Sequence, residues 1–92
     1  MKAIAEVQVI PIGVGVSVRT EVKRAHQLLA DSGLEVELHA NGTNLEGELD
    51  EIFRAVTHVH ETLHAEGVVR LSTHLKIGTR MDKEPTLGGK LF

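Results

Sequence analysis

The chain has 92 residues, enough for one small domain. It contains two Phe and no Trp, Tyr or Cys, so its core must be aliphatic, and disulfide bonds and thiolate sites are excluded. A net charge of −3 and the shortage of aromatic side chains argue against a nucleic-acid-binding protein. Glu6 interrupts the apolar start that a signal peptide needs and no apolar run approaches the ~20 residues of a membrane span, so we expect a cytoplasmic protein with no membrane partner.

The first predicted element is a strand over residues 2–10, in which small apolar residues alternate with a mixed set. One face carries Ala3, Ala5, Val7 and Val9, and the other carries Ile4, Glu6, Gln8 and Ile10. We expect Pro11 to end this strand. The loop that follows contains Gly13-Val-Gly15 before a predicted helix, a weak anion-binding pattern that is more often a plain flexible loop.

A helix is predicted after this loop, with Ser17 as its candidate N-cap. Its apolar residues recur at helical spacing, and Asp31-Ser-Gly33 is typical of a helix end. The apolar positions are Val18, Val22, Ala25 and Leu29.

A β-hairpin is predicted next, because residues 34–40 alternate and Asn41-Gly42 is the strongest short-range hairpin signal. Asn and Gly tolerate the positive φ angles of a two-residue type I′ turn. We expect the return strand over residues 43–47.

The second predicted helix runs from about Glu48 to about Glu66 and is closed by Gly67. Acidic residues in its first turn suit the positive end of the helix dipole. A last strand follows over residues 68–77, and residues 78–92 read as an irregular tail that ends in a docked segment at Leu91-Phe92. The apolar stripe of the second predicted helix is Leu49, Ile52, Val56, Val59 and Leu63.

The predicted element order is βαββαβ, which is typical of an α+β, ferredoxin-like sandwich with a four-stranded antiparallel sheet and two helices on one face. We expect residues 1–92 to form one such domain. The uncovered sheet face carries mixed apolar and polar residues, which suits either a subunit interface around a pocket or a solvated surface.

Two charged features allow competing interpretations. Residues 35–66 hold eight acids against Arg54 as the one Lys or Arg, which favours a neutral or cationic small ligand over an acidic one, although acids also simply solvate helix surfaces. His60-Glu-Thr-Leu-His64 matches the His-Glu-x-x-His letters of zinc hydrolases. The domain is too small to enclose a zinc site around this helix, so we favour surface or interface histidines and predict no metal and no catalytic residue.

Several motifs resemble the small thiamine-binding-protein-like family of ferredoxin-like proteins. The most specific is Gly42-Thr-Asn-Leu-Glu-Gly-Glu48, and the others are Ala3-Ile-Ala-Glu6, Val9-Ile-Pro11 with Gly13, Ser17-Val18, and Arg70 with Thr73-His-Leu-Lys-Ile77.

The resemblance implies a non-enzymatic protein that binds thiamine or its hydroxymethylpyrimidine part without a cofactor, as a dimer or tetramer joined through its sheets. It implies Thr43 and Glu46 as the main ligand contacts, then Ser17, with Asn44 and Glu6 completing the set. A carboxylate can accept a hydrogen bond from an aminopyrimidine, and a hydroxyl can orient it. The alternatives are a structural or regulatory oligomer without a small ligand, and a metal-dependent hydrolase.

Overall fold

The computed structural model describes residues 1–16 and 18–90. Its elements follow the order βαββαβ and end in a short third helix, and the strands form one antiparallel sheet in the order β2-β3-β1-β4. The predicted ferredoxin-like sandwich is confirmed. The elements are β1 (Lys2–Ile12), α1 (Arg19–Ala30), β2 (Glu35–His39), β3 (Gly42–Glu48), α2 (Leu49–Ala65), β4 (Arg70–Gly78) and α3 (Leu87–Lys90).

The core lies between the sheet and the two long helices, as the alternation in β1 predicts. Alternate residues of β1 and β3 point toward the helices, and α1 and α2 cover them with their apolar stripes. This side of the sheet is called the helix face below, and the other side is called the open face. The most deeply buried large side chains are Leu29, Leu45, Ile52, Leu63, Val7 and Val59.

The hairpin between β2 and β3 is confirmed, but the predicted turn is wrong. His39 pairs with Gly42, so the two loop residues are Ala40 and Asn41, and neither has a positive φ. Gly42 is needed for a different reason. A Cβ at this position would lie 2.6 Å from the carbonyl oxygen of Val7, so only glycine lets β3 approach β1 so closely.

Strand β1 continues beyond its predicted end, because Pro11 and Ile12 still pair with β4. On the other side of β1 the pairing with β3 stops at Val7. From Gln8 onward, β1 therefore has an edge that no described strand covers, and proline is tolerated in a strand with such an edge.

Helix α2 ends as predicted at Gly67, which has a φ of 102°. The N–H groups of Gly67 and Val68 donate to the carbonyls of His64 and Leu63, the pairing of a Schellman motif. Just past this end, Arg24 of α1 donates to both carboxylate oxygens of Glu66 at 2.8–3.1 Å. The hydrogen bonds from Arg24 lower the pKa of Glu66, and they tie the two helices together.

The C-terminal tail was predicted to be irregular, but it ends in the helical turn α3 and lies against the open face. The N–H of Leu87 donates to Glu46 Oε1 at 2.8 Å, and Ile4 under the tail is only 9% exposed. Ser17 and the predicted docked segment Leu91-Phe92 lie outside the described residues. Within the part of the chain that is described, no helix combines the length and apolar character that crossing a bilayer requires.

Candidate functional site

The described ligand-contact candidates lie on opposite faces of the sheet. Thr43 pairs with Val7 and points to the helix face, where it is 5% exposed. Glu6, Asn44 and Glu46 alternate onto the open face. Because the sheet separates the two sets, the structure brings Glu6, Asn44 and Glu46 together but does not bring Thr43 to them.

The helix face carries a cavity of about 300 Å³ at the hairpin end of the sheet, called the helix-side cleft below. It opens beside Gly42, the first residue of β3, where β1 loses its β3 partner and stays paired with β4. The hairpin turn and the first turns of α1 wall this gap. Its volume is at the lower end of the range for small-molecule sites. The described lining residues are Val7, Gln8, Val9, Ile10, Val18, Val22, Ala25, His26, Leu29, Leu38, His39, Ala40, Asn41, Gly42 and Thr43.

The lining of the helix-side cleft is apolar with a few polar groups, and none of its described residues is Asp, Glu, Lys or Arg. Thr43 is the buried polar residue of the described core. Its hydroxyl can both donate and accept a hydrogen bond. This combination of aliphatic walls and sparse polar groups is typical of sites that bind small organic molecules.

His26 is a polar residue of this cleft that the sequence analysis did not single out. It lies on α1 one turn after Val22, which is also in the lining. Its Nδ1 atom is buried and has no hydrogen-bond partner among the described residues. The sequence signal that could have identified His26 is its position four residues after Val22, because residues at this spacing lie on the same side of a helix.

His39 connects the cleft wall to the open face. The N–H of Asn41 donates to His39 Nδ1 at 3.3 Å, so in the neutral ring Nε2 carries the proton. Nε2 lies 3.3 Å from a carboxylate oxygen of Glu6, an ion-pair distance without the alignment of a hydrogen bond. Glu6 on the open face therefore lies beside the hairpin turn that walls the cleft.

The open face carries a second depression, of about 390 Å³, near the tail. It is lined by residues of three strands and the tail: Ile4, Ala5, Glu6, Asn44, Lys76, Ile77, Gly78 and Leu87. Two polar groups at this depression have partners, because Asn44 Nδ2 donates to Glu37 at 3.3 Å and Glu46 beside it accepts a hydrogen bond from the tail. Glu6 and Lys76 also line the depression, so it carries full charges that the lining of the helix-side cleft lacks.

The tail itself covers a groove of about 420 Å³ with charged walls. These charges pair locally, since Arg80 donates to Asp82 at 2.6 Å and Lys2 lies 3.8 Å from Glu84. The hydrogen bonds from Arg80 lower the pKa of Asp82. Three of the four charged residues that line the groove, Arg80, Asp82 and Glu84, are therefore paired.

The two histidines of the zinc-like motif bind other parts of the fold. His60 Nε2 lies 2.6 Å from Thr73 Oγ1 on β4, and His64 Nδ1 lies 2.7 Å from the carbonyl of Val68. These bonds tie α2 to β4 and to the turn between them. No group of three or more metal-binding side chains occurs in residues 1–16 and 18–90.

A family model described as thiamine-binding protein matches residues 5–92. Among individual proteins, a UPF0045 protein of Synechocystis is 43% identical over 91 residues, which are 99% of this chain and 75% of that protein. The UPF0045 protein MJ1052 of Methanocaldococcus jannaschii is 46% identical over 98% of this chain and 89% of its own length.

Solved structures resemble this fold closely. The crystal structure of MJ1052 superposes with a TM-score of 0.90, and the alignment covers 98% of this chain and 92% of that chain. A domain of unknown function from Bacillus cereus is 27% identical, with a TM-score of 0.86 over 98% of this chain and 86% of that chain.

Proposed function

Because this chain belongs to the thiamine-binding protein family, we propose that it binds thiamine or its hydroxymethylpyrimidine part without transforming it. The observation that carries the proposal is the helix-side cleft, with its aliphatic walls and its buried Thr43. An aminopyrimidine is flat, with apolar ring faces and with hydrogen-bond donors and acceptors along its edge. It therefore matches a cleft that offers apolar contact and a few polar groups.

The uncovered edge of β1 supports this location. Gln8, Val9 and Ile10 line the cleft at the point where β1 has no β3 partner. An unpaired strand edge presents N–H donors and C=O acceptors in a row. A ring with adjacent donor and acceptor atoms can pair with such an edge in the manner of another strand, while the Thr43 hydroxyl orients it.

The predicted contacts on the open face define the rival location for the same ligand. Glu6 and Asn44 line the open-face depression and Glu46 lies beside it. Ser17 belongs to the proposed contact set by resemblance, and its neighbour Val18 lines the helix-side cleft. The proposal gives Thr43 the main ligand contact and leaves Glu6, Asn44 and Glu46 on the other side of the sheet, where Glu6 lies 3.3 Å from His39.

Calorimetric titration of the intact protein with thiamine and with hydroxymethylpyrimidine tests both the function and its location. We expect saturable binding that Thr43→Val weakens about tenfold, because it keeps the shape and removes one hydrogen-bonding group. Asn44→Ala, the matched change on the open face, leaves binding unchanged. If Asn44→Ala weakens binding and Thr43→Val does not, the ligand binds on the open face. If millimolar ligand gives no heat with the wild-type protein, a structural or regulatory oligomer without a small ligand is the better explanation.

We also propose that the open face joins two copies of the chain. On this face β2 carries Glu35 and Glu37 at one side of the sheet, and β4 carries His74 and Lys76 at the other. A two-fold axis parallel to the strands lays β2 of one copy over β4 of its partner. Acidic and basic side chains then meet across the interface, which favours this orientation.

The oligomeric state tests this arrangement. Light scattering coupled to size exclusion is expected to give a dimer or tetramer, and Lys76→Glu is expected to shift it toward monomer because it places like charges together. Lys23→Glu makes the same charge change on exposed α1 and serves as the control. A monomeric wild-type protein, or equal behaviour of the two variants, contradicts the proposed interface.

A further inference from the structure

Two basic side chains of α1 have no ion-pair partner within residues 1–16 and 18–90. Arg19 and Lys23 are exposed, and neither takes part in the salt bridges of this part of the chain. They lie four residues apart, so they are neighbours on one side of the helix, where two like charges repel each other. Glu21 is two residues from each of them, and side chains at this spacing do not face one another. The start of α1 therefore presents two positive charges without an acid between them.

Both of these cations lie next to the wall of the helix-side cleft. Val22, which lines the cleft, comes three residues after Arg19. His26, which also lines it, comes three residues after Lys23. Residues three apart on a helix are surface neighbours, with Cβ atoms about 5–6 Å apart. Long basic side chains keep their charged ends in water, so the two charges flank the mouth of the cleft.

The acids of the described residues lie away from this mouth. None of the described lining residues is Asp or Glu, and none belongs to α2. The acids of residues 35–66, on which the expectation of a neutral or cationic ligand rested, lie on α2, at its ends or, like Glu37 and Glu46, on the open face. The remaining basic residue of α1, Arg24, differs from Arg19 and Lys23 because it is paired with Glu66. The cleft mouth is therefore positively charged although the chain as a whole is acidic.

We infer that the ligand of the helix-side cleft is a phosphate ester, with its organic ring between the cleft walls and its phosphate at the mouth beside Arg19 and Lys23. This inference rests on the proposed function and adds to it the charge of the ligand and two contact residues. A phosphate monoester carries about −1.5 to −2 charges at neutral pH. Arg can bind it through two parallel N–H groups, and Lys binds it as a point charge.

The charge of thiamine itself supports a phosphorylated ligand. With the pyrimidine ring in the cleft, the thiazolium cation of thiamine lies toward the mouth, where Arg19 and Lys23 repel it. A phosphate on thiamine exceeds this positive charge and gives both basic side chains a partner. A phosphate of thiamine therefore suits the site better than thiamine does.

Calorimetric titration of the full chain with thiamine, thiamine monophosphate and inorganic phosphate tests the charge of the ligand. We expect the monophosphate to bind about tenfold more tightly than thiamine at low salt, as charge-assisted hydrogen bonds predict. This ratio of dissociation constants should fall as salt is added, because both cations are exposed. Inorganic phosphate is expected to bind undetectably at millimolar concentration, because it has no ring to fill the apolar cleft.

The variants Arg19→Gln and Lys23→Gln each remove one charge and keep a polar side chain. We expect each to reduce the ratio about threefold and the double variant to bring it to about one. Thiamine should still bind at least as tightly as it does to wild type, which also shows that the variants fold. Lys83→Gln makes the same charge change in the groove under the tail and is expected to keep the full ratio.

Four results overturn this inference while the proposed function stands. They are equal binding of thiamine and its monophosphate by the wild-type protein, a ratio that survives in the double variant, a ratio that is lost in Lys83→Gln, and inorganic phosphate that binds as tightly as the monophosphate. Failure of the wild-type protein to bind thiamine, its monophosphate and hydroxymethylpyrimidine overturns the proposed function and this inference together.

Discussion

The two faces of the sheet are built from alternate residues of the same strands, yet they are held together in different ways. On the helix face, small and branched aliphatic side chains pack against two amphipathic helices. On the open face, carboxylates, histidines and Lys76 lie beside one another, and the tail covers Ile4. Adjacent residues such as Leu45 and Glu46 therefore experience very different environments.

This difference shows where a small domain can place a ligand site. The helix face is well packed except where β3 ends before β1 does, and the helix-side cleft lies at that point. The cleft is apolar with a few polar groups. The open face has more polar and charged groups, some of which pair with one another and with the tail, so it suits contact with a complementary charged surface better than capture of a small molecule.

The largest expected effect comes from removing packing on the helix face. Leu45 is fully buried, so Leu45→Ala is expected to lower the free energy of unfolding by about 2–5 kcal/mol, through lost transfer energy and a residual cavity. Urea denaturation measures this change. Asn44→Ala, one position away on the open face, is expected to change stability by about 0.5 kcal/mol or less. Similar losses for both variants would contradict the assignment of the two faces.

A smaller effect is expected where the tail meets the open face. Glu46→Ala removes the acceptor for the Leu87 N–H, and the local free energy of opening is expected to fall by about 1 kcal/mol. Hydrogen exchange at the Leu87 amide should then be about fivefold faster, with the exchange of core amides unchanged. Glu46→Gln keeps an oxygen acceptor and serves as the control. An unchanged Leu87 rate in the Ala variant would show that other contacts hold the tail.

The smallest effect concerns the bridge between the helices and depends on pH. Hydrogen bonds from Arg24 hold the pKa of Glu66 below its ordinary value of 4.5. Folding therefore favours the ionised carboxylate, so the stabilisation is complete above pH 4.5 and is lost as the pH falls through the lowered pKa.

We expect the Glu66→Gln variant to have a slightly lower melting temperature than wild type at pH 7. The two melting temperatures should be the same once the pH is below the lowered pKa of Glu66. Both groups are exposed, so salt also reduces the difference. The Arg24→Gln variant should show the same dependence of melting temperature on pH. The double variant should melt no lower than either single variant. A difference that persists at low pH would assign the effect to packing instead of charge.

Much of the architecture followed from local sequence pattern. Alternation in β1 and the i, i+3 and i+4 spacing in α2 predicted which residues point to the core, because side-chain direction repeats with period 2 in strands and 3.6 in helices. Gly67 marked the end of α2 through its positive φ. The turn was misassigned because propensity favours Asn-Gly at the tip, whereas pairing of His39 with Gly42 moved the loop one residue back.

The sequence by itself determined the βαββαβ order, the core-facing residues of β1 and most of those of α2, and, through its motifs, the family. Only the tertiary structure decided that β1 has an uncovered edge after Val7 and that His26 meets the hairpin turn at one cleft. These facts depend on where one strand stops relative to its neighbour and on which helix packs over the gap. Such relations join residues far apart in the chain, and local periodicity contains no information about them.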